Sequence, residues 1–428
     1  MQGRTLFLYA LLLLTPALKA QQAASTILTV DDLVRAGIQN NRDLAAIRER
    51  IPEAQGFTRQ AGVRPSPTLG LTGITGKLLG TLGEDQYGAD YSQLIETFGK
   101  RGKRVHVAEY AISIAEADYQ ARVVQLGFEI KAAYAEVLAE QRKLKVLNDL
   151  IAVNQETLRL TGVRVKEGDV AQLEANLLKV EIGRAEVSRR SAQGRLVSAE
   201  LELRRLVGLD QATPLPNADF PAPTPIELDV LKQKALESRA DLKVARLVEE
   251  QEVARIALAK AEAKPDVTLT AGYTRQNSQF DNLYGYNTSG ALSPLRDRDD
   301  LLKFGVSIPL RTSRSGAGSV QAATARSSCA HLRREYLDRT IPLAVESVYQ
   351  NWRTAQDSLQ MLQGGVLDPS AANLSVIREA YRLGQLRLLD VLNEQRRLVD
   401  TQLAYIDAQA DVARTHAELE RAVGGNLP

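Results

Sequence analysis

The chain has 428 residues, of which 44% are hydrophobic, 25% charged and only 5% aromatic, with a formal charge of +2. That length allows two or three ordinary domains, and no run of like charge marks a polyanion such as nucleic acid as a partner. The single cysteine, Cys329, excludes an intrachain disulfide, so packing and partners must hold the fold.

Residues 1–20 read as a secretory signal. Arg4 supplies a positive start, residues 6–14 an apolar run, and Pro16, Ala17 and Ala20 a cleavage region with the cut expected after Ala20. The run is shorter than the roughly 20 residues a spanning helix needs. Removing Arg4 and Lys19 brings the formal charge to zero. No later apolar run is long enough for a transmembrane helix, so any membrane-spanning part must be β-structure.

A helix is predicted over 30–63, with Thr29 or Asp31 as its cap. After Pro65 and Pro67 comes a hairpin over 67–96. Leu69 and Leu71 alternate with Thr68, Gly70 and Thr72, and Tyr87, Ala89 and Tyr91 with Gly88, Asp90 and Ser92. A proline-free stretch then carries a long helix over 101–162 and a returning one over 170–207, with apolar residues spaced by three and four as in Ile112, Ala115, Tyr119 and Val123. Residues 211–226 contain Pro214, Pro216, Pro221, Pro223 and Pro225 and form a stiff linker. A second helix is predicted over 226–263 and a second hairpin over 265–310. Its strands show Val267, Leu269, Ala271 and Tyr273, and on the return Phe304, Val306, Ile308 and Leu310, alternating with polar or small residues. Strands of about ten residues suit a tilted membrane crossing, with 77–86 and 276–300 as loops. Tyr87, Tyr91, Tyr273, Tyr284 and Tyr286 fit either an interfacial girdle or ordinary strand positions. Helical pattern resumes over 315–424, with breaks expected near Pro342, Gly364-Gly365 and Pro369.

The order of elements repeats. Asp43-Leu44 corresponds to Asp241-Leu242, Pro67 to Pro265, Tyr134 to Tyr349, Gly168 to Gly384 and Val207-Gly208 to Val423-Gly424. The first half is therefore 21–210 and the second 227–428. The fold expected is mainly α, long antiparallel coiled-coil helices plus two β-hairpins per chain, with an internal two-fold repeat. Four strands cannot close a barrel, and lipid-exposed strand edges leave backbone groups unpaired, so several copies must pool their hairpins. Alternation alone leaves a soluble pair of hairpins packed on helices open.

Ala380-Tyr381-Arg382-Leu383-Gly384, followed by Leu389-Asp390-Val391-Leu392-Asn393, together with Gly168 and Leu173-Glu174 in the first half, resembles the periplasmic tip of the TolC-type outer-membrane efflux family. Glu96-Thr97-Phe98-Gly99-Lys100-Arg101 resembles its heavy-metal (CzcC-like) branch. The resemblance implies a homotrimeric duct in the outer membrane with a helical tube in the periplasm. It implies a periplasmic adaptor and, through it, an inner-membrane transporter as partners. It further implies a pore constriction at Asp390, with Asn393 where a second family acid stands, hence a milder cation preference. It places gate contacts at Glu174, Tyr381 and Arg387, and adaptor docking at Val165, Lys166, Gly168, Asp169, Leu383, Gly384 and Gln385, with Tyr381 at the edge of that surface.

Chemistry-bearing motifs do not appear. His106, His331 and His416 are scattered, no His/Cys/Asp cluster has metal-ligand spacing, and there is no nucleophile elbow, phosphate loop or dinucleotide fingerprint. No enzyme activity and no cofactor are expected; a duct only has to let cargo pass. The function expected is a passive exit duct for metal ions or small amphiphiles. The alternatives at this stage are a periplasmic coiled-coil scaffold without a channel and a duct for secreted polypeptides.

Overall fold

The computed structural model describes residues 29–76, 78, 84–210, 215, 220, 227–310, 316–425 and 427. The signal at 1–20, nearly all of the 211–226 linker and most of the first hairpin's loop lie outside them.

Thr29 opens helix α1 (Val30–Asn40) through a reciprocal pair of bonds. The Asp32 amide donates to the Thr29 hydroxyl, and the Thr29 amide donates to the Asp32 carboxylate. The single helix predicted over 30–63 is in fact three: α1, α2 (Arg42–Arg48) and α3 (Arg50–Ala61). The cause is Asn41. Its side-chain oxygen accepts from the Leu44 amide at 2.9 Å to cap α2, and its amide donates to the buried Leu206 carbonyl at 2.7 Å. The same break recurs between α6 (Leu228–Ser238) and α7 (Ala240–Glu262), where Arg239 sits in extended backbone.

Helix α4 (Lys100–Glu167) is one unbroken rod of 68 residues, about 100 Å long. Helix α5 (Gln172–Val207) returns along it. In the second half, α8 (Ala317–Gln360) continues through Pro342, where a kink or a broken helix was predicted, and does not break there. Its neighbours Ile341 and Val345 lie in a buried cluster with Leu231, Leu242, Trp352, Leu419 and Val423, and this packing holds the helix where propensity alone would let it break. At Gly364-Gly365 the helix does not end either. It widens into a π-helical segment (Met361–Leu367) and continues as α9 (Asp368–Arg382), with Pro369 in its first turn, where a missing amide costs least. Helix α10 (Leu388–Val423) closes the chain.

The two halves are joined along α4 and α10. Lys131 meets Glu420 at 2.6 Å, and Glu140, only 1% exposed, is held by Lys143 at 2.9 Å and Arg195 at 3.0 Å while Lys143 also reaches Asp407. A first buried cluster gathers Leu33, Leu44, Leu126, Ile130, Val137 and Leu203, where α1, α2 and the end of α5 pack against the middle of α4.

The hairpins form one antiparallel sheet in the order β1 (Thr68–Thr75), β2 (Asp85–Ile95), β3 (Val267–Tyr286) and β4 (Leu292–Ser307). Strands β3 and β4 have 20 and 16 residues, well beyond the crossing length of about ten expected, and they absorb most of the loop predicted over 276–300. Residues 308–310 fall outside β4. Register sorts the side chains by face. Leu69, Tyr91, Ala271 and Phe304 share one row, and Leu71, Ala89, Tyr273 and Leu302 the next. The opposite face carries rows such as Gly70, Asp90, Gly272 and Lys303. The large side chains of the first face are open to the surroundings: Leu71 is 79% exposed, Phe304 79% and Val306 67%.

Candidate functional site

The end of the molecule opposite the sheet is made by two helix turns. At the first, Gly168 has φ 84°, its amide bonds back to α4, and the Asp169 amide donates to the Arg164 carbonyl at 2.9 Å. At the second, Gly384 has φ 76° and the Gln385 amide donates to the Ala380 carbonyl at 2.9 Å. Both turns use the same left-handed helix termination, which any residue with a Cβ adopts only under strain. Lys166, Gly168, Asp169, Leu383, Gly384 and Gln385 are exposed on these turns and Val165 is half-buried beside them.

Behind the turns, Leu178 of α5 packs with Leu388 and Leu392 of α10, bringing the two helical hairpins together. Tyr381 lies against this cluster, and its hydroxyl donates to the Glu174 carboxylate at 3.1 Å. Burial, then the neighbouring Glu174 charge, pushes the Tyr381 phenol above its usual range, so it stays protonated and keeps donating. Arg387 is not brought to Glu174 within the chain. It precedes α10, and its backbone amide donates to Asp390 at 3.1 Å. Asp390 thus caps α10 while remaining exposed, with Asn393 exposed one turn on.

One contact of this region was missed in the sequence. Arg396 of α10 forms a two-pronged ion pair with Glu181 of α5, with its Nε 2.8 Å from one carboxylate oxygen. The Glu181 side chain is only 11% exposed. The hydrogen bonds from Arg396 hold the Glu181 carboxyl below its ordinary range and lift the Arg396 guanidinium in turn. Glu181 follows the core residue Leu178 by three positions and Arg396 follows Leu392 by four, so both project beside the leucine contact. That spacing was the available signal. Among the described residues no group of acids, histidines or cysteines could hold a metal ion, and no helix is long and apolar enough to cross a membrane.

A family model described as "Outer membrane efflux protein" matches residues 33–209 and again 231–425. The chain is similar to the outer membrane protein TolC of Vibrio cholerae, 24% identical over 74% of this chain and 72% of that protein. It is similar to the cation efflux system protein CusC of Escherichia coli, 24% identical over 92% and 86% of the two chains. Among solved structures, a CusC crystal structure superposes with a TM-score of 0.74 at 20% identity, covering 93% of this chain and 92% of that one. VceC of Vibrio cholerae superposes with a TM-score of 0.71 at 21% identity, covering 93% and 96%.

Proposed function

The chain belongs to the outer membrane efflux protein family, and from that premise we propose that three copies form the exit duct of a tripartite efflux system. It resides in the outer membrane with its helices in the periplasm. The observation that carries the proposal is the four-stranded sheet. It has one face of largely apolar rows, two edges at β1 and β4 with no further strand among the described residues, and helices of up to about 100 Å at one end. In lipid each unpaired edge group costs several kcal/mol, so the β1 edge of one copy pairs with the β4 edge of the next. Three copies give twelve strands, within the range of outer-membrane barrels of about eight and more.

The internal repeat is part of this reading. The two family matches begin 198 residues apart and end 216 apart, the same offsets that relate Asp43 to Asp241 and Gly208 to Gly424. The terminations at Gly208 and Gly424 also correspond, each glycine lying against the break between the first two helices of its half. The domain division at 211–226 follows from it.

Cargo enters at the tip. The exposed turns receive a periplasmic adaptor, which links the duct to an inner-membrane transporter. Asp390 and Asn393 from three chains line the constriction, and contacts between the two helical hairpins hold it shut. The cargo is metal ions or small amphiphiles; CusC is named a cation efflux protein, and the exposed Asp390 puts an acidic side chain at the opening. Purified protein tests the reading. A heat-modifiable oligomer that conducts ions in planar bilayers supports it, and a stable, wholly soluble monomer that never inserts rejects it.

A further inference from the structure

The part of β3 and β4 that reaches beyond the apolar rows carries Arg296-Asp297-Arg298-Asp299-Asp300, a charge run that a loop would scatter into water. In a strand, period two sorts it. Arg296, Arg298 and Asp300 share the face of Leu302 and Phe304, whereas Asp297 and Asp299 share the opposite face with Lys303. The arginines therefore stand on the lipid side, past Leu302 and short of the exposed Leu292 at the far end of β4, and two aspartates stand on the lumen side.

Arg298 meets one acid of that face, Asp300, only as a long ion pair at 3.8 Å, and Arg296 meets none among the described residues. Asp300 is engaged by Arg275 at 2.8 Å and by the Tyr273 hydroxyl at 2.6 Å, and lies 3.8 Å from Arg298, too far for a hydrogen bond. Asp85, in the same row as Arg298, is 8% exposed and accepts from the Thr75 hydroxyl at 2.7 Å. Arg298 keeps 55% of its side chain exposed, and the Nε of Arg296 donates to the neutral amide of Gln279 at 3.2 Å. Two guanidinium groups per chain thus face outward with no acid hydrogen-bonded to them. Arg298 lies four residues beyond Leu302, about 13 Å along the strand and less along the membrane normal once the strand tilts. That height is where headgroup phosphates begin, and a guanidinium is the side chain best matched to a phosphate.

We propose that Arg298 and Arg296, with the Arg275–Asp300 pair beneath them, form a girdle that binds the phosphate groups of lipid headgroups in the leaflet facing away from the helices. That leaflet's phosphorylated glycolipid is the ligand, and in a trimer six guanidinium groups ring the barrel. The sign-sorting serves both sides: phosphates are held outside, and the aspartates leave the mouth of the duct acidic.

This inference rests on the outer-membrane barrel reading, and the test separates the two. Full-length protein in detergent is titrated with diphosphorylated lipid A, with phosphatidylcholine and with inorganic phosphate, and bound lipid is read by native mass spectrometry. Wild type binds lipid A, with affinity falling as salt rises, and phosphatidylcholine and free phosphate do not compete. R296Q/R298Q binds lipid A about 30-fold more weakly, the equivalent of about 2 kcal/mol for two charges. The lumen-side variant D297N/D299N binds like wild type, and both variants still conduct ions in bilayers. Equal lipid A affinity in wild type and R296Q/R298Q overturns the girdle, as does equal binding of phosphatidylcholine. A wild type that binds no lipid and never inserts overturns the barrel reading and the girdle together.

Discussion

Replacing Arg396 by alanine is expected to loosen the tip. Arg396 joins α10 to Glu181 of α5, so the pair is stretched by any motion that swings one helical hairpin from the other. Glu181 is 11% exposed and Arg396 43%, so the pair is better shielded than a surface ion pair yet not fully buried. The loss is cushioned, because Arg184 stands 3.4 Å from the same carboxylate. About 1 kcal/mol per chain is therefore reasonable for a shielded two-pronged pair. If three tips open in concert, about 3 kcal/mol is lost, roughly a hundredfold in the ratio of closed to open states. Planar-bilayer recording of the purified oligomer reads this directly as a rise in open probability. Because Arg396 depresses the Glu181 pKa, the pair strengthens the closed state fully above the ordinary glutamate value of about 4.3 and fades only as pH falls through the lower, folded value. Closure should be insensitive to pH between about 7 and 5 and weaken in stronger acid. E181Q/R396A should resemble R396A alone. Wild-type conductance in R396A, or additive effects in the double variant, would refute the latch.

Asp390→Asn should keep the α10 cap, since an amide oxygen accepts the Arg387 amide as well, while removing the charge. Cation preference in bilayers should fall with thermal stability unchanged; unaltered selectivity rejects the constriction assignment. Asn41→Ala removes both the α2 cap and the partner of a buried carbonyl, and should cost about 1–3 kcal/mol, seen as a lower denaturation midpoint. Gly208→Ala places a Cβ 2.9 Å from the Asn40 carbonyl oxygen at φ 73°, and should lower that midpoint further than alanine at the open Gly194, where nothing lies within 4 Å.

Legibility in the sequence followed the physics of each segment. Strand residues 267–274 and 301–307 could be read because one face meets lipid and the other meets the lumen, which enforces alternation. Residues 276–286 and 292–300 belong to the same strands, but they lie past the apolar rows, where the alternation is one of charge sign and not of hydropathy and the composition is loop-like. The helix break at Asn41 was hidden because its cap on Leu44 is a local option that the Leu206 carbonyl, 165 residues away, secures by accepting from the same side chain. Pro342 misled in the other direction, since the cluster around Trp352 overrides its local preference. At the tip, the proximity of Glu174 and Tyr381 was suggested by resemblance to a family pattern. For the Glu181–Arg396 pair, spacing from Leu178 and Leu392 placed each side chain beside the leucine contact, but which of them meet depends on how the two hairpins are staggered.

The distribution of packing explains why motion belongs at the tip. Midway along the long helices, the described core is built from two clusters, one of ten buried residues and one of nine that includes Trp352. At the tip only Leu178, Leu388 and Leu392 are buried together, supplemented by one phenol and one ion pair. A fully buried leucine contributes about 1.5–3 kcal/mol, so the contact between the tip hairpins is worth far less than either of those clusters. Local opening is drawn from the weakest region of a structure. The π-helical segment between α8 and α9 adds a wide turn above the tip on the second hairpin, while α4 beside it runs unbroken to Glu167. If the tip opens as proposed, the α9–α10 hairpin is expected to move more than the unbroken α4, which hydrogen exchange of the purified oligomer would show as faster exchange in α9.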